Sequence, residues 1–387
     1  MVNIYDVNNN FCVAPFIHLN IGPREWISPC CVYEGIVGSS FDGILNTWHS
    51  QEINTLRKAF LNNERPVECR NCWAVEDAGG LSYRHKVNQD NLPHINLRRP
   101  LLKPIWLQLK LGAKCNLACR TCDADSSHKL LKQTLYSTFG KINKDWIREK
   151  QKRSSWIYDN SFWDELKDIS ENLELLTLTG GEPLINDEHY TYLEWCIDQG
   201  YAKNIRLDYI TNGTVKLDNY KKELWKNFRH VNIDISLDGT GKLAEYIRTG
   251  IEWDAISKNI LEYKKEYNAS ISWLISIYNV RYVDQIFSFC DEHDIFLTLN
   301  PLHTPIWQNV KTLPNSVKKI IIEHIEQIVT KKPKQFLIDF VKQSIDEDFT
   351  FCTMIKQQEE WHKKATREIL DYEKLFPEWW SILNERQ

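Results

Sequence analysis

The chain has 387 residues, of which 42% are hydrophobic and 26% charged, with a formal net charge of −4. That length can bury a large core in one big domain with additions, and the mildly acidic balance argues against nucleic acid as the main partner. No apolar run reaches the ~18 to 20 residues that span a bilayer. Met1-Val2-Asn3-Ile4-Tyr5-Asp6 lacks the basic and then apolar regions of a signal peptide, so a cytoplasmic protein without a membrane partner is expected. Seven of the eleven cysteines fall in patterned groups, which favours metal ligation in a reducing compartment over disulfides. The fifteen tryptophans are read as bulky core and helix packing.

Residues 1–80 form a first unit, rich in turn signals and poor in periodicity. Cys12, Cys30, Cys69 and Cys72 are spaced C-x17-C, a gap of 38 residues, then C-x2-C. Between them Ile53, Leu56, Phe60 and Leu61 follow helical spacing over Ser50 to Asn62. Such a segment suits a small domain folded around a metal, with Cys31 a bystander or substitute ligand. Residues 81–103 read as a linker, because Asn91-Leu92-Pro93-His94 and Arg99-Pro100 break regular elements.

From 104 to 303 strand and helix patterns alternate. Strands are expected at 105–111, 173–179, 204–210, 230–237, 270–278 and 295–299. Helices are expected between them, including Glu188 to Gln199 and Val280 to His293. Successive strand–helix units imply parallel pairing, and six of them make an α/β fold of partial (β/α)6 TIM-like barrel type. Several strands alternate: Gln108 and Lys110 oppose Leu107, Leu109 and Leu111, and Asn232, Asp234 and Ser236 oppose Val231, Ile233 and Ile235. The expectation is a polar inner face that takes a polar ligand. Residues 304–387 read as a C-terminal helical extension, clearest at Val317 to Ile328 and Glu359 to Tyr372, with Pro377-Glu378-Trp379-Trp380 packing on the barrel. Cys196, Cys290 and Cys352 stand alone and read as core thiols.

The chemistry concentrates after the first of these strands, where Cys115, Cys119 and Cys122 form C-x3-C-x2-C. Close thiolate sets hold zinc or iron–sulfur clusters, and three ligands without a nearby fourth leave one metal position open. After the second strand comes Gly180-Gly181-Glu182-Pro183, whose glycines let backbone approach a ligand. Asn212 ends the third strand, and Ser236 and Asp238 end the fourth.

Together these motifs resemble the radical S-adenosylmethionine (radical SAM) superfamily over residues 104–303. The resemblance implies that Cys115, Cys119 and Cys122 hold a catalytic [4Fe–4S] cluster whose fourth iron binds S-adenosylmethionine. Gly180, Gly181, Glu182 and Pro183 would then meet the cofactor's amino group. Ser236 and Asp238 would meet its ribose and methionine ends with help from Asn212. Arg248 falls where related enzymes place a carboxylate-binding arginine, and Asn300-Pro301-Leu302 would meet the adenine. Thr121 departs from a position often aromatic in the family. Reductive cleavage to a 5′-deoxyadenosyl radical, hydrogen abstraction from substrate and an external flavodoxin, ferredoxin or other reductase are the implied activity and donor.

In the same light Cys12, Cys30, Cys69 and Cys72 look like the auxiliary [4Fe–4S] module of the twitch and SPASM branches, placed before the barrel rather than after it. The twitch form, with one auxiliary cluster in electron transfer, is the nearer likeness. The resemblance implies a peptide or protein side chain as substrate, with dehydrogenation or epimerisation of a polar small molecule as the alternative. Asp234 and His303 are positional candidates for a base. A protein using both cysteine sets for structural zinc is the non-enzyme reading, and it leaves Gly180-Gly181-Glu182-Pro183 unexplained.

Overall fold

Period-two alternation in the sequence becomes strands with one apolar and one polar face. The computed structural model describes residues 10–77, 80–92, 101–131, 134–135, 143–345, 349–366 and 371–385. The described chain divides into two units: Met1–Gly112, Asp145–Tyr209 and Asp218–Val231 in the first, and Ala113–Lys144, Ile210–Leu217 and Asn232–Gln387 in the second.

The first unit carries β1 (His18–Ile21), β2 (Trp26–Ser28), β3 (Gly38–Ser39), β4 (Trp106–Lys110), β5 (Leu175–Thr179) and the start of β6 (Arg206–Thr211). β1, β4, β5 and β6 pair in parallel, whereas β2 and β3 return antiparallel beside β1. The segment read as loop-rich thus supplies three strands to the sheet of β4. β1 escaped the sequence reading because it is four residues long and follows directly on the helical turn Ala14–Ile17. Leu19, Ile21, Leu107, Leu109, Leu176 and Leu178 bury the apolar face, and Phe162, Trp163, Leu166 and Ile169 of the helix Asn160–Ile169 are buried as well. On the polar face, Asn20, Gln108, Thr177 and Asp208 stand abreast on four neighbouring strands.

Two helices bear on the cysteines before β4. Gln51–Leu61 matches the expected span, with Ser50 accepting the Ile53 N–H as its cap. Tyr83–Asn91 lies inside the stretch read as linker. It has almost no hydrophobic periodicity, but Ser82 and His85 close a reciprocal capping box that starts it. Pro93, His94, Arg99 and Pro100 lie outside the described residues.

In the second unit β7 (His230–Ser236), β8 (Asn268–Ile275) and β9 (Phe296–Pro301) are parallel, joined through the helices Trp253–Glu266 and Val283–Glu292. Their polar face hydrogen-bonds across itself: Asn268 to Asn232 at 2.8 Å, Ser270 to Asp234 at 2.9 Å and Asn300 to Ser272 at 2.5 Å. The expected six-strand series is met by β4 to β9 within two residues at nearly every end. The C-terminal helix expected from Glu359 begins eight residues earlier, at Phe351, and runs to Thr366. Trp379 of the helix Pro377–Glu385 is buried and donates to the Ile277 carbonyl at 2.9 Å. Cys196, Cys290 and Cys352 are buried free thiols. Among the described residues no helix is long and apolar enough to cross a membrane.

Candidate active site

The loop that follows β4 brings Cys115, Cys119 and Cys122 together in the second unit. Cys115 and Cys119 are buried and Cys122 is half-buried. The Leu117 N–H donates to Cys115 Sγ at 3.4 Å, and Asn212 Nδ2 donates to the same sulfur at 3.8 Å. The loop is pinned by Ala118 N–H to the Thr249 carbonyl at 3.0 Å and by Arg120 N–H to the Ile247 carbonyl at 2.8 Å. Arg120 is itself buried: its guanidinium lies 3.9 Å from the Tyr246 ring centroid, and its Nε donates to the Tyr246 carbonyl at 2.9 Å. Gln358 and Gln308 donate to the Arg120 carbonyl at 2.7 and 3.4 Å.

The strand-end residues divide their work. Asn212 donates to Asn116 Oδ1 at 2.9 Å and accepts from the Thr214 backbone and hydroxyl at 3.0 and 2.6 Å. It braces the cysteine loop. Asp238 is fully buried; it forms an ion pair with Arg248 Nε at 2.8 Å and accepts the Leu274 N–H at 3.3 Å. Ser236, at the end of β7, is half-buried. Of the two candidate bases, Asp234 takes the Ser270 hydroxyl and His303 is exposed.

Gly180, Gly181, Glu182 and Pro183 belong to the first unit, at the end of β5. Gly180 has φ +84°, and a Cβ there would meet the Lys110 carbonyl carbon at 2.7 Å. Only glycine tolerates both that backbone and that approach. Glu182 is fully buried and accepts the Leu184 N–H at 3.0 Å. Asn186, which the sequence reading passed over, donates to the Leu111 carbonyl at 2.8 Å, while Leu111 N–H reaches the Thr179 carbonyl at 2.7 Å. The end of β4 is therefore tied to β5 on both sides.

The earlier cysteines also converge, within the first unit. Burial and then neighbouring thiols raise the Cys30 and Cys69 pKa values: Cys30 feels Cys31, Cys12 and Cys72, and Cys69 feels Cys12 and Cys72. Burial above all pushes Cys12 up to about 12, with the Ala14 N–H opposing. Cys31, the thiol that acts most strongly on Cys30, itself feels the Lys110 ammonium and the Tyr83 hydroxyl. Helix Tyr83–Asn91 braces the group: Asn88 donates to the Phe11 carbonyl at 2.7 Å and accepts the Val13 N–H at 2.8 Å, on either side of Cys12. Arg84 donates to the Phe11 carbonyl at 2.6 Å and forks onto Glu76 at 2.9 and 2.6 Å. Neither Arg84 nor Glu76 carried a sequence signal beyond its place near Cys72.

The donor sets fit iron–sulfur clusters in chemistry. Burial raises Cys119, and Cys122 rises to about 12, so a thiolate at either needs positive charge or metal to form. Arg248 supplies a positive charge that favours both thiolates. Among the described residues no three Cys, His or carboxylate side chains converge on a single-ion site.

Residues 109–290 match the family model of the radical SAM superfamily. No curated protein matches the chain. Among solved structures it is similar to anSMEcpe with bound AdoMet, at 19% identity over 58% of this chain and 60% of that one, with a TM-score of 0.41. It is also similar to Streptococcus suis SuiB bound to precursor peptide SuiA, at 15% identity over 71% of this chain and 50% of that one, with a TM-score of 0.36. The likeness thus spans 60% of the length of anSMEcpe. The matched segment begins on β4, contains all three cysteines of the loop and includes Gly180 to Pro183, Asn212, Ser236, Asp238 and Arg248. The radical SAM match is thus to residues 109–290, a little under half of the chain.

Proposed function

We propose that Cys115, Cys119 and Cys122 hold a catalytic [4Fe–4S] cluster and that the chain modifies a peptide or protein side chain. The observation that carries this reading is a single braced loop with three thiols and no fourth cysteine beside them. When bound, the cluster and S-adenosylmethionine together supply one-electron reductive cleavage and hydrogen abstraction. The chain's own work is to hold and shield. Ala118 and Arg120 fix the loop backbone, Asn212 orients Cys115, and Arg248 balances thiolate charge. Gly180 to Pro183 would offer backbone groups to the cofactor's amino end, and Ser236 a hydroxyl to its ribose. Asp238, spent on Arg248, is assigned to holding that arginine.

We further propose that Cys12, Cys30, Cys69 and Cys72 hold an auxiliary [4Fe–4S] cluster in a twitch-like arrangement over residues 1–80, followed by a linker through 103, the barrel over 104–303 and the helical extension. Mutual electrostatic proximity of the four thiols supports it. A substrate rich in amides suits the neutral donors and acceptors Asn20, Gln108 and Thr177, which stand abreast on one sheet face. The same row would serve a polar small molecule, whose dehydrogenation or epimerisation is the alternative reaction. An external flavodoxin, ferredoxin or other reductase completes the proposal, in the cytoplasm.

The test is anaerobic incubation of dithionite-reduced protein with S-adenosylmethionine. The unaltered chain should release 5′-deoxyadenosine, and the variant with Cys115, Cys119 and Cys122 all changed to Ala should release none. Equal release from both would refute the assignment. Deuterium moving from labelled peptides, but not from labelled polyols, into 5′-deoxyadenosine would choose the substrate class.

A further inference from the structure

The loop that carries Cys119 and the turn that carries Arg248 are joined by two backbone hydrogen bonds. The bonds from Ala118 N–H to the Thr249 carbonyl, 3.0 Å, and from Arg120 N–H to the Ile247 carbonyl, 2.8 Å, bracket the two residues. Residue 119 therefore lies beside residue 248, which sits at the end of the helix Gly241–Ile247. Arg248 cannot hydrate its charge there, because its side chain is only 11% exposed. Asp238, itself 1% exposed, forms an ion pair with Nε at 2.8 Å and holds the guanidinium from one side. An arginine carries five N–H donors, so this contact leaves most of its fork uncommitted. At Cys119 the arginine's influence exceeds that of Asp238, and it extends to Cys122.

We propose that Arg248, clamped by Asp238, is the resident counter-charge of the cluster on Cys115, Cys119 and Cys122 and raises its reduction potential. The inference rests on the assignment of those cysteines as cluster ligands. Adding one electron from a low-potential donor makes the cluster and its thiolates more negative by one charge. A fixed buried cation beside two of the thiolates stabilises that reduced form more than the oxidised one. Its effect is present before any ligand arrives, which separates it from the carboxylate-binding role implied by the family likeness.

The experiment is a redox titration of anaerobically reconstituted protein, followed by electron paramagnetic resonance without S-adenosylmethionine. The variant with Cys115, Cys119 and Cys122 changed to Ala supplies the signal of any other cluster, for subtraction. Arg248→Gln should shift the reduction equilibrium about tenfold toward the oxidised form, or about 59 mV for one electron, while Arg248→Lys should remain near the unaltered value. A potential indifferent to Arg248→Gln without S-adenosylmethionine, and shifted only with it, would overturn the inference. If Arg248→Gln loads no iron, Arg248→Lys decides, since retained loading supports a charge requirement and its loss overturns it. If the unaltered chain shows no signal beyond that of the triple variant, the cluster assignment itself fails.

Discussion

Gly180 is the position where a single atom should do most damage. Its φ of +84° and the 2.7 Å approach of the Lys110 carbonyl carbon leave no room for Cβ. Gly180→Ala is expected to destabilise the chain by about 1–3 kcal/mol through backbone strain alone, read as a lower urea midpoint; an unchanged midpoint would contradict the close approach. The cysteines and this glycine were legible in the sequence because their spacing alone carries chemical meaning. The partnership of Asp238 with Arg248 was not. The two lie ten residues apart, and only the helix Gly241–Ile247 and the turn after it bring them to 2.8 Å. Sequence reading gave Asp238 to the cofactor, and the structure adds an ion pair with Arg248 that the sequence did not show.

Elements that looked peripheral prove to brace the cysteines. Helix Tyr83–Asn91 presents Arg84 and Asn88 to the backbone around Cys12. Arg84→Met would take the arginine from half-buried Glu76 and leave it the Ser82 hydroxyl and His85, a change expected to cost about 1–3 kcal/mol. The expected result is selective loss of the iron proposed for Cys12, Cys30, Cys69 and Cys72, with 5′-deoxyadenosine release retained; full iron content would contradict the bracing role. Helix Phe351–Thr366 acts similarly in the second unit through Gln358 on the Arg120 carbonyl at 2.7 Å and His362 on the Thr249 hydroxyl at 2.8 Å. Gln358→Ala should cost about 1 kcal/mol, seen as faster amide exchange in the cysteine loop, and unaltered exchange would count against it. The six long alternations that became β4 to β9 were readable from period alone. β1 and the helix Tyr83–Asn91 were not, since one is too short to show a period and the other is held by caps and buried polar contacts.

For the whole molecule, three buried histidines set the response to acid. Burial lowers His18, His189 and His362 to about 3, with the Arg120 charge adding to the effect at His362. Below the ordinary histidine value of about 6.5 the unfolded chain binds protons that the folded chain refuses. Stability therefore falls as pH drops from there toward 3, by up to about 1.4 kcal/mol per pH unit for each histidine. Urea midpoints should decline steadily from pH 7 to pH 5, with a shallower decline in His362→Asn; a flat profile would contradict the buried neutral state. The two cysteine sets, by contrast, bear on function, and iron decides their meaning. Iron and inorganic sulfide analysis of anaerobically prepared protein should find about eight iron atoms per chain. It should find about four when Cys115, Cys119 and Cys122 are changed to Ala, and about four when Cys69 and Cys72 are. Zinc without iron in the unaltered chain would contradict the account.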